Sequence, residues 1–417
     1  MSDGPTVIIG AGIAGVSTAL WLQRLGHTVM LIDRSAPGEG TSFGNAGVLA
    51  ASSILPVTVP GLVTKIPRML LNPASPLFVI WHRVPGIMPW LMRYLSHATG
   101  DESRRITGAL STIVTDSLAQ HMDLAGGTRA EHRLTKWDYA YAYPSRDAYR
   151  KDEFAWSCRK RAGFVPQEIT GDAIQDYMPG VSDAVGFLAV MDRHGFILDP
   201  GGYIKDLACE VEACGGRIVR ATVETLVLES DRVRSVVTNA GLIECANVVM
   251  ATGVWSRGLL EPLGVRVPMQ TERGYHIEFR EPSRTPRIPI MYSAGKFVLS
   301  PMSNGLRCAG VIEFGGLTPG PSRKPLKLLR NHLGMIYPDF AASDDQEWLG
   351  HRPAPTDSLP FLGEIRSTGI YTAFGHHHIG LTSGPKTGRI IANLIAHGQD
   401  IIDLEPFHPL RFGTNGV

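Results

Sequence analysis

Cysteine is scarce in this 417-residue chain, and the few present do not pair up. The five, Cys158, Cys209, Cys214, Cys245 and Cys308, contain no C-x-x-C step, and an odd, widely spaced set argues against both a disulfide framework and a zinc site. A reducing, cytoplasmic compartment is the expectation. Long apolar runs are missing as well. Lys65, Arg68, His82, Arg83 and several prolines interrupt the greasiest stretch, so no window reaches the roughly 18 uninterrupted apolar residues of a spanning helix. The first strand is expected to begin at about Thr6, which leaves no room for a charged region, an apolar region and a cleavage site ahead of it. No export signal is expected. An excess of one charge is also absent: 40 Lys and Arg face 39 Asp and Glu, for a formal net charge of +1. Such a chain has no long-range field for gathering a polyanion, and nucleic acid is not expected as a partner.

What is present begins with length, which exceeds what one hydrophobic core organises and predicts two domains. No repeat and no low-complexity linker separates them, so they are expected to be built from interleaved segments. Thr6 to Ile9 is a short apolar run that ends in Gly10-Ala11-Gly12-Ile13-Ala14-Gly15, as a buried central parallel strand would. Helical spacing of Ile13, Val16, Ala19, Leu20 and Leu22 runs to Gly26, and Thr28 to Ile32 reads as the next parallel strand. Glycine at this turn lets the backbone approach a pyrophosphate while the helix N-terminus offers its amides. Asp33, 23 positions after Gly10, stands where a carboxylate accepts from a ribose 2′-OH. The unit predicts a dinucleotide site.

Further along, 101–124 reads as a long helix, 137–143 and 185–197 as strands, and 146–162 as helical. A helix over 200–214 leads to Arg217-Ile218-Val219, then to β-rich runs at 223–229, 233–238 and 242–250. Residues 267–311 are strand-like, 324–337 is an amphipathic helix, and a Gly-rich loop at 375–380 opens a last helix that runs to about Ala396.

Several landmarks occur in one order over nearly the whole chain: the glycine motif, Thr41-Ser42-Phe43-Gly44-Asn45-Ala46-Gly47, His194-Gly195-Phe196-Ile197-Leu198-Asp199-Pro200, Ala251-Thr252-Gly253 with Trp255-Ser256, Arg273-Gly274-Tyr275, Gly350-His351-Arg352-Pro353, and Gly375 to Thr382. In this the chain resembles the D-amino acid oxidase superfamily of FAD-dependent oxidoreductases, and most of all its bacterial D-amino acid dehydrogenase branch. The resemblance implies an α/β fold in which an FAD-binding Rossmann-type βαβ domain (1–58, 196–256 and 350–417) is interleaved with an α+β, mixed-sheet substrate-binding domain (59–195 and 257–349). It implies FAD held non-covalently by Gly10, Gly12, Ile13, Ala14, Gly15, Asp33, Arg34, Ser42, Asn45, Ala46, Gly47, Val223, Ala251, Gly253, Gly375, His376, Gly380, Leu381 and Thr382. No cysteine neighbours Arg352, which speaks against a thioether-linked flavin.

The resemblance also implies the chemistry. Arginine suits a carboxylate because its planar fork donates two parallel hydrogen bonds, and the likeness of the Pro-fixed loop around Arg352 to the family's Gly-x-Arg-Pro loop implies the role of carboxylate binder for it. Tyr275, His276 and His378 are the further catalytic candidates, as caps over the substrate. Three adjacent histidines, His376, His377 and His378, invite a metal reading, but consecutive loop side chains diverge and no carboxylate or cysteine sits at ligand spacing nearby, so no metal is expected. The implied reaction oxidises the Cα–N bond of an amino acid by hydride transfer to the flavin, giving an imino acid and then a 2-oxo acid. A glycine, sarcosine or cyclic imino acid (D-hydroxyproline-like) oxidase or dehydrogenase, and the flavin subunit of an electron-transfer complex, stand as alternatives. The acceptor is a quinone, oxygen or a partner protein. Leu70, Leu71, Leu77, Phe78, Val79, Ile80, Trp81, Ile87, Met88, Trp90, Leu91 and Met92, interspersed with Lys65, Arg68, Arg83 and Arg93, read either as a face for peripheral contact with the inner membrane or as a helical pair packed in the substrate domain.

Overall fold

The computed structural model describes residues 4–72 and 75–414; residues 1–3, 73–74 and 415–417, together with the side chains of Arg68 and Leu71, lie outside the description. Thr6–Ile9 is buried on both faces, which is why it takes the centre of a six-stranded sheet. The order across that sheet is Phe361–Glu364, Ile370–Phe374, Asn247–Met250, Thr6–Ile9, Val29–Asp33 and Arg217–Arg220, parallel throughout except at the Phe361–Glu364 edge. Val7 stands opposite both Val248 and Met30. The alternation of a strand then assigns the two faces. Ile8, Leu31 and Val249 pack against helices Ile13–Arg24, Pro200–Ala213 and Gly380–His397. Val7, Ile9, Met30, Ile32, Val248 and Met250 pack instead against the meander of Val223–Glu229, Arg232–Thr238 and Gly241–Glu244.

A second, ten-stranded mixed sheet runs Asp344–Pro355, Met269–Arg280, Gly305–Phe314, Phe297–Met302, Ile290–Tyr292, Leu134–Tyr143, Phe187–Ile197 and Val48–Leu49, with Leu77–Val79 and Gln167–Ile169 as side pairings. Helix Arg323–Ile336 covers one face together with Tyr275, Ile277, Phe297 and Leu299. The other face carries Tyr139, Tyr141, Met291 and Val298 and looks into a large cavity. The boundaries expected at 196 and 350 fall inside the strands Phe187–Ile197 and Asp344–Pro355, and Val48–Leu49 joins the mixed sheet although its neighbours in sequence serve the parallel one.

Local chemistry sets the helix ends. Asp199 accepts from the Gly202 amide and Pro200 follows it, so helix Pro200–Ala213 has both a cap and a pre-set first turn. Thr99 caps Gly100–Val114 through the Glu102 amide, with Asp101 and Glu102 favoured at its positive end. The long helix expected over 101–124 is in fact two, Gly100–Val114 and Ser117–Ala125. Tertiary partners account for the break: Asp116 meets the Lys386 ammonium at 2.7 Å and His121 meets Tyr203 and the Leu381 carbonyl.

Gly15 shows how tightly the first unit is packed. A β-carbon there would sit 1.8 Å from the Gly10 carbonyl oxygen. Gly15→Ala is therefore expected to push helix Ile13–Arg24 off the strand and cost about 1–3 kcal/mol. Urea unfolding of the purified variant checks this, and a midpoint equal to that of the native chain would refute the close contact.

Candidate active site

The cavity has a volume of about 1230 Å³ and lies between the two sheets. That exceeds the roughly 300–1,000 Å³ of a site for one drug-sized ligand, so it has room for a dinucleotide and a second small molecule. Its first end is the glycine turn. Gly10 has φ +110°, and a β-carbon there would come within 2.5 Å of the Ala251 carbonyl oxygen. Gly10, Gly12, Ile13 and Ala14 line the cavity, whereas Gly15 faces the strand behind them. Helix Ile13–Arg24 begins without a side-chain cap and without an acid in its first turn, so its leading amides remain available to an anion. Asp33 accepts from Ala11 N at 2.7 Å and from Ser35 N at 2.9 Å, which ties the second strand to the turn while its carboxylate keeps further lone pairs. Arg34, stacked 4.0 Å over Trp255, lies on the same wall with Val223, Ala251 and Gly253.

The middle of the cavity is the segment from Ser42 to Ala46. Ser42 Oγ lies 3.4 Å from the Ile13 amide, and Asn45 Oδ1 accepts from Gly47 N at 2.9 Å. The mixed sheet fixes this segment by its carbonyls: Ser300 donates to Ala46 O at 2.7 Å, and Arg307 to Asn45 O at 2.6 Å. Gly47 itself does not line the cavity; with φ +78° it closes onto the Ile197 carbonyl, 2.4 Å from where its β-carbon would be. Opposite, Gly375, His376, Gly380, Leu381 and Thr382 form the wall at the start of helix Gly380–His397, which again has neither a side-chain cap nor an acid in its first turn. His376 is buried, with Nε2 2.9 Å from Thr387 Oγ. Two uncapped helix ends thus point into one cavity.

At the remaining end the charged groups gather. Arg352, expected on a loop, sits instead in the strand Asp344–Pro355, directly opposite Glu272. That strand tolerates Pro353 and Pro355 because it is the edge of its sheet, where a missing amide breaks no ladder. Arg352 Nη1 donates to Glu272 Oε1 at 2.7 Å, and His377 Nε2 lies 2.7 Å from Glu272 Oε2. The Arg352 guanidinium lies flat over Gly274, where a β-carbon would be 2.5 Å from Cζ. Glu272 is only 2 % exposed. Burial by itself raises its pKa, but His377 and Arg352 outweigh burial and hold the carboxyl well below the usual range.

The other catalytic candidates part company here. His378 is enclosed by protein, yet its ring is exposed to the cavity, with Nδ1 3.1 Å from His377 Nδ1. Tyr275 touches the wall, but its ring lies in the core on the opposite sheet face, and its hydroxyl donates to Glu313 at 2.5 Å beside Arg273. His276 stacks on Trp348 with centroids 5.0 Å apart and does not line the cavity. Sequence reading passed over Glu272 and weighed His377 only as a metal ligand. The available signal was a carboxylate two positions before Gly274, in a stretch read only as strand-like. Among the described residues no group of three or more His, Cys, Asp or Glu is arranged to hold a metal ion.

Comparison with known proteins gives a consistent family. The family described as FAD dependent oxidoreductase (DAO) matches residues 6–394. A D-amino-acid oxidase of Bradyrhizobium diazoefficiens is 37% identical over 421 residues, covering 99% of this chain and 100% of that protein. A D-amino acid dehydrogenase of Rhizobium johnstonii is 28% identical, covering 98% and 99%. The crystal structure of glycine oxidase from Bacillus cereus superposes with a TM-score of 0.71 at 20% identity, over 95% of this chain and 96% of that one, and so shares the fold.

The buried imidazoles make stability depend on pH. His121, His194 and His376 each have a pKa lowered to about 4 by burial. Their ordinary value is 6.5, so between about pH 6.5 and 4 the unfolded chain binds protons that the folded chain refuses, and stability falls as pH is lowered through that window. Glu272, depressed in the fold, contributes stability that is complete above its ordinary pKa of 4.5 and is lost only below it. Urea midpoints measured from pH 7 to pH 4.5 are expected to decline, and His376→Asn is expected to flatten the decline. An unaltered slope in that variant would show that His376 takes up protons as freely folded as unfolded.

Proposed function

The chain belongs to the DAO family of FAD-dependent oxidoreductases, and from that premise we propose that it oxidises the Cα–N bond of a D-amino acid to an imino acid, which water converts to a 2-oxo acid and ammonia. The observation that carries this reading is Arg352: its Nη1 is committed to Glu272, while Nε and Nη2, the side-on fork, are left for a carboxylate at the cavity wall.

The residues present fit FAD. The uncapped end of helix Ile13–Arg24 suits a pyrophosphate, as does Gly12, where a β-carbon would meet only Ser42 Oγ at 3.4 Å; Asp33 suits a ribose. The uncapped end of helix Gly380–His397 suits a ring system that gains negative charge on reduction. None of the free cysteines lines the cavity, which supports non-covalent binding. FAD bound there would supply the two-electron acceptor for a hydride from the substrate Cα.

The protein's own part is orientation and enclosure. Arg352 holds the carboxylate, and Glu272 holds Arg352 in one rotamer from a fully buried position. Binding a rigid fork at one end of a small substrate leaves little freedom at its Cα, which lowers the entropic cost of the reacting geometry. Trp348, Ile312 and Phe314 line the adjoining wall with apolar surface that excludes water.

For the electron acceptor we favour a quinone met at a membrane surface. No helix among the described residues is long and apolar enough to cross a membrane. Helix Val84–Ser96 packs Ile87, Trp90 and Tyr94 inward, Trp90 Nε1 donating to Ala354 O at 3.0 Å, and turns Met88 and Met92 outward. With Trp81 at 65% and Met92 at 64% exposure beside the exposed cations Lys65, Arg83 and Arg93, this face has the composition of an interfacial patch. The cavity wall continues beneath it through Ile66, Met69, Val84 and Leu91.

Arg352→Ala is expected to raise KM for D-amino acids by roughly tenfold to a hundredfold, through loss of a charge-assisted pair, with flavin absorption of the purified protein unchanged. Unchanged steady-state kinetics in that variant would overturn the carboxylate assignment. The acceptor reading has its own check: the protein is expected to float with vesicles containing anionic lipid, and Trp81→Ser with Met92→Ser to stay behind. Rapid reoxidation by air of substrate-reduced protein that ignores both vesicles and a quinone analogue would instead indicate an oxidase.

A further inference from the structure

His377 is held in a backbone conformation that favours glycine. Its φ is +53°, in the left-handed region that strains a residue bearing a β-carbon, and the inward loop around it is buried. The surroundings hold it there from both sides. Its amide donates to the Pro353 carbonyl at 3.0 Å and its Nε2 lies 2.7 Å from the Glu272 carboxylate, while its other ring nitrogen lies 3.1 Å from Nδ1 of His378. The chain of contacts therefore runs from Arg352 through Glu272 and His377 to a histidine whose ring is exposed to the cavity.

Glu272 is ionised and only accepts, so His377 donates to it from Nε2–H. In the tautomer with a neutral His377, its Nδ1 carries a lone pair and His378 donates to it from Nδ1–H. His378 is left with its lone pair at Nε2, the nitrogen turned away from His377. We propose that His378 Nε2 accepts the proton of the substrate ammonium, and that His377 and Glu272 are the positioning residues that set its tautomer and take up the charge. The inference rests on the amino acid reading of the same cavity.

The step balances. An N–H bond of the ammonium breaks, its electron pair stays on nitrogen as the free amine, and an Nε2–H bond forms on His378. Transfer of the His378 Nδ1 proton to His377 Nδ1 then puts the positive charge on the ring that touches Glu272. No electron changes hands in either move, and the neutral amine left behind has the lone pair that supports hydride loss from Cα. The charge count of the site is unchanged by the transfer: Arg352 and Glu272 cancel, and the substrate carboxylate is balanced first by its own ammonium and then by the protonated histidine pair. The other groups facing this cluster are His376, bound to Thr387, and Tyr94 from helix Val84–Ser96, a buried phenol whose pKa is raised by burial and then by Glu272. Neither competes for the proton near neutral pH. Enclosure by protein lowers the pKa of His378, with Glu272 acting in the opposite direction, and this keeps the ring unprotonated until the substrate carboxylate arrives.

Glycine at 377 separates this role from a structural one, because it relieves the backbone while removing the ring. The FAD-loaded enzyme is assayed with D-alanine and D-phenylalanine across pH, and proton uptake on binding benzoate, which cannot be oxidised, is read by calorimetry in buffers of different ionisation enthalpy. In the native chain the acid limb of kcat/KM is expected below the ordinary histidine pKa, and benzoate binding is expected to take up protons. His377→Gly and Glu272→Gln are expected to move the limb alkaline by about one pH unit or more, because the ammonium must then lose its proton to solvent, so that kcat/KM below the limb falls about tenfold per unit. His378→Asn is expected to abolish proton uptake, and the flavin absorption of purified His377→Gly shows that the variant used in the assay is folded. A His377→Gly variant with the native pH profile and native proton uptake would overturn the relay. Proton uptake that is native-like in the parent and lost in His378→Asn, in a protein that oxidises no amino acid, would sustain the relay while removing the amino acid reading.

Discussion

The buried carboxylate of Glu272 is the interaction on which the reacting end of the cavity depends. A lone carboxylate so deep in a protein would take a proton rather than stay charged, and this one stays charged because Arg352 and His377 each reach one of its oxygens. The dependence runs both ways. Without Glu272, Arg352 would be a partly buried cation free to swing, and the His377 ring would lose its charged partner. One charge thereby joins three segments distant in sequence, the strand Met269–Arg280, the edge strand Asp344–Pro355 and the loop before helix Gly380–His397.

Around that point the two sheets divide the work. The parallel sheet brings one helix N-terminus to the glycine-turn end of the cavity and a second, from the last helix, to its other side, so that backbone dipoles face the space from both. The mixed sheet contributes a wide face whose apolar rings and small residues shape the space, and it anchors the Ser42 to Ala46 segment through Ser300 and Arg307. Small residues matter where backbone and side chain must nearly touch. Gly274 under the Arg352 guanidinium and Gly44 and Gly350 under the Trp348 ring are such places, since a β-carbon at any of them would overlap the group lying on it.

Much of the parallel unit was legible in the sequence, because its signals are local. A buried strand, a glycine turn, a helix with apolar spacing and an acid at the end of the next strand all fall within about thirty residues, and each follows from how a short stretch of backbone meets its neighbours. Most of the cofactor-facing positions read there line the cavity, with Gly15 and Gly47 serving packing instead. The charged end of the cavity was less legible. Tyr275 and His276 are adjacent to the right strand, but a bulge in the pairing at Gly274 and Tyr275 and the two-sided nature of a sheet decide which side chain meets the cavity, and both rings are engaged elsewhere.

By itself, the sequence determined the class of fold and the strand, glycine turn and helix of the parallel unit, since these rest on periodicity, turn chemistry and ordered motifs. Only the tertiary structure decided that Glu272 and His377, 105 positions apart, share a hydrogen bond, and that His378 is exposed at the cavity while the Tyr275 ring packs into the core behind the sheet. The reason is physical. A buried charge is defined by its partners, and partners drawn from separate strands meet only when register, twist and a strained loop have placed them, none of which leaves a mark in any short stretch of the chain.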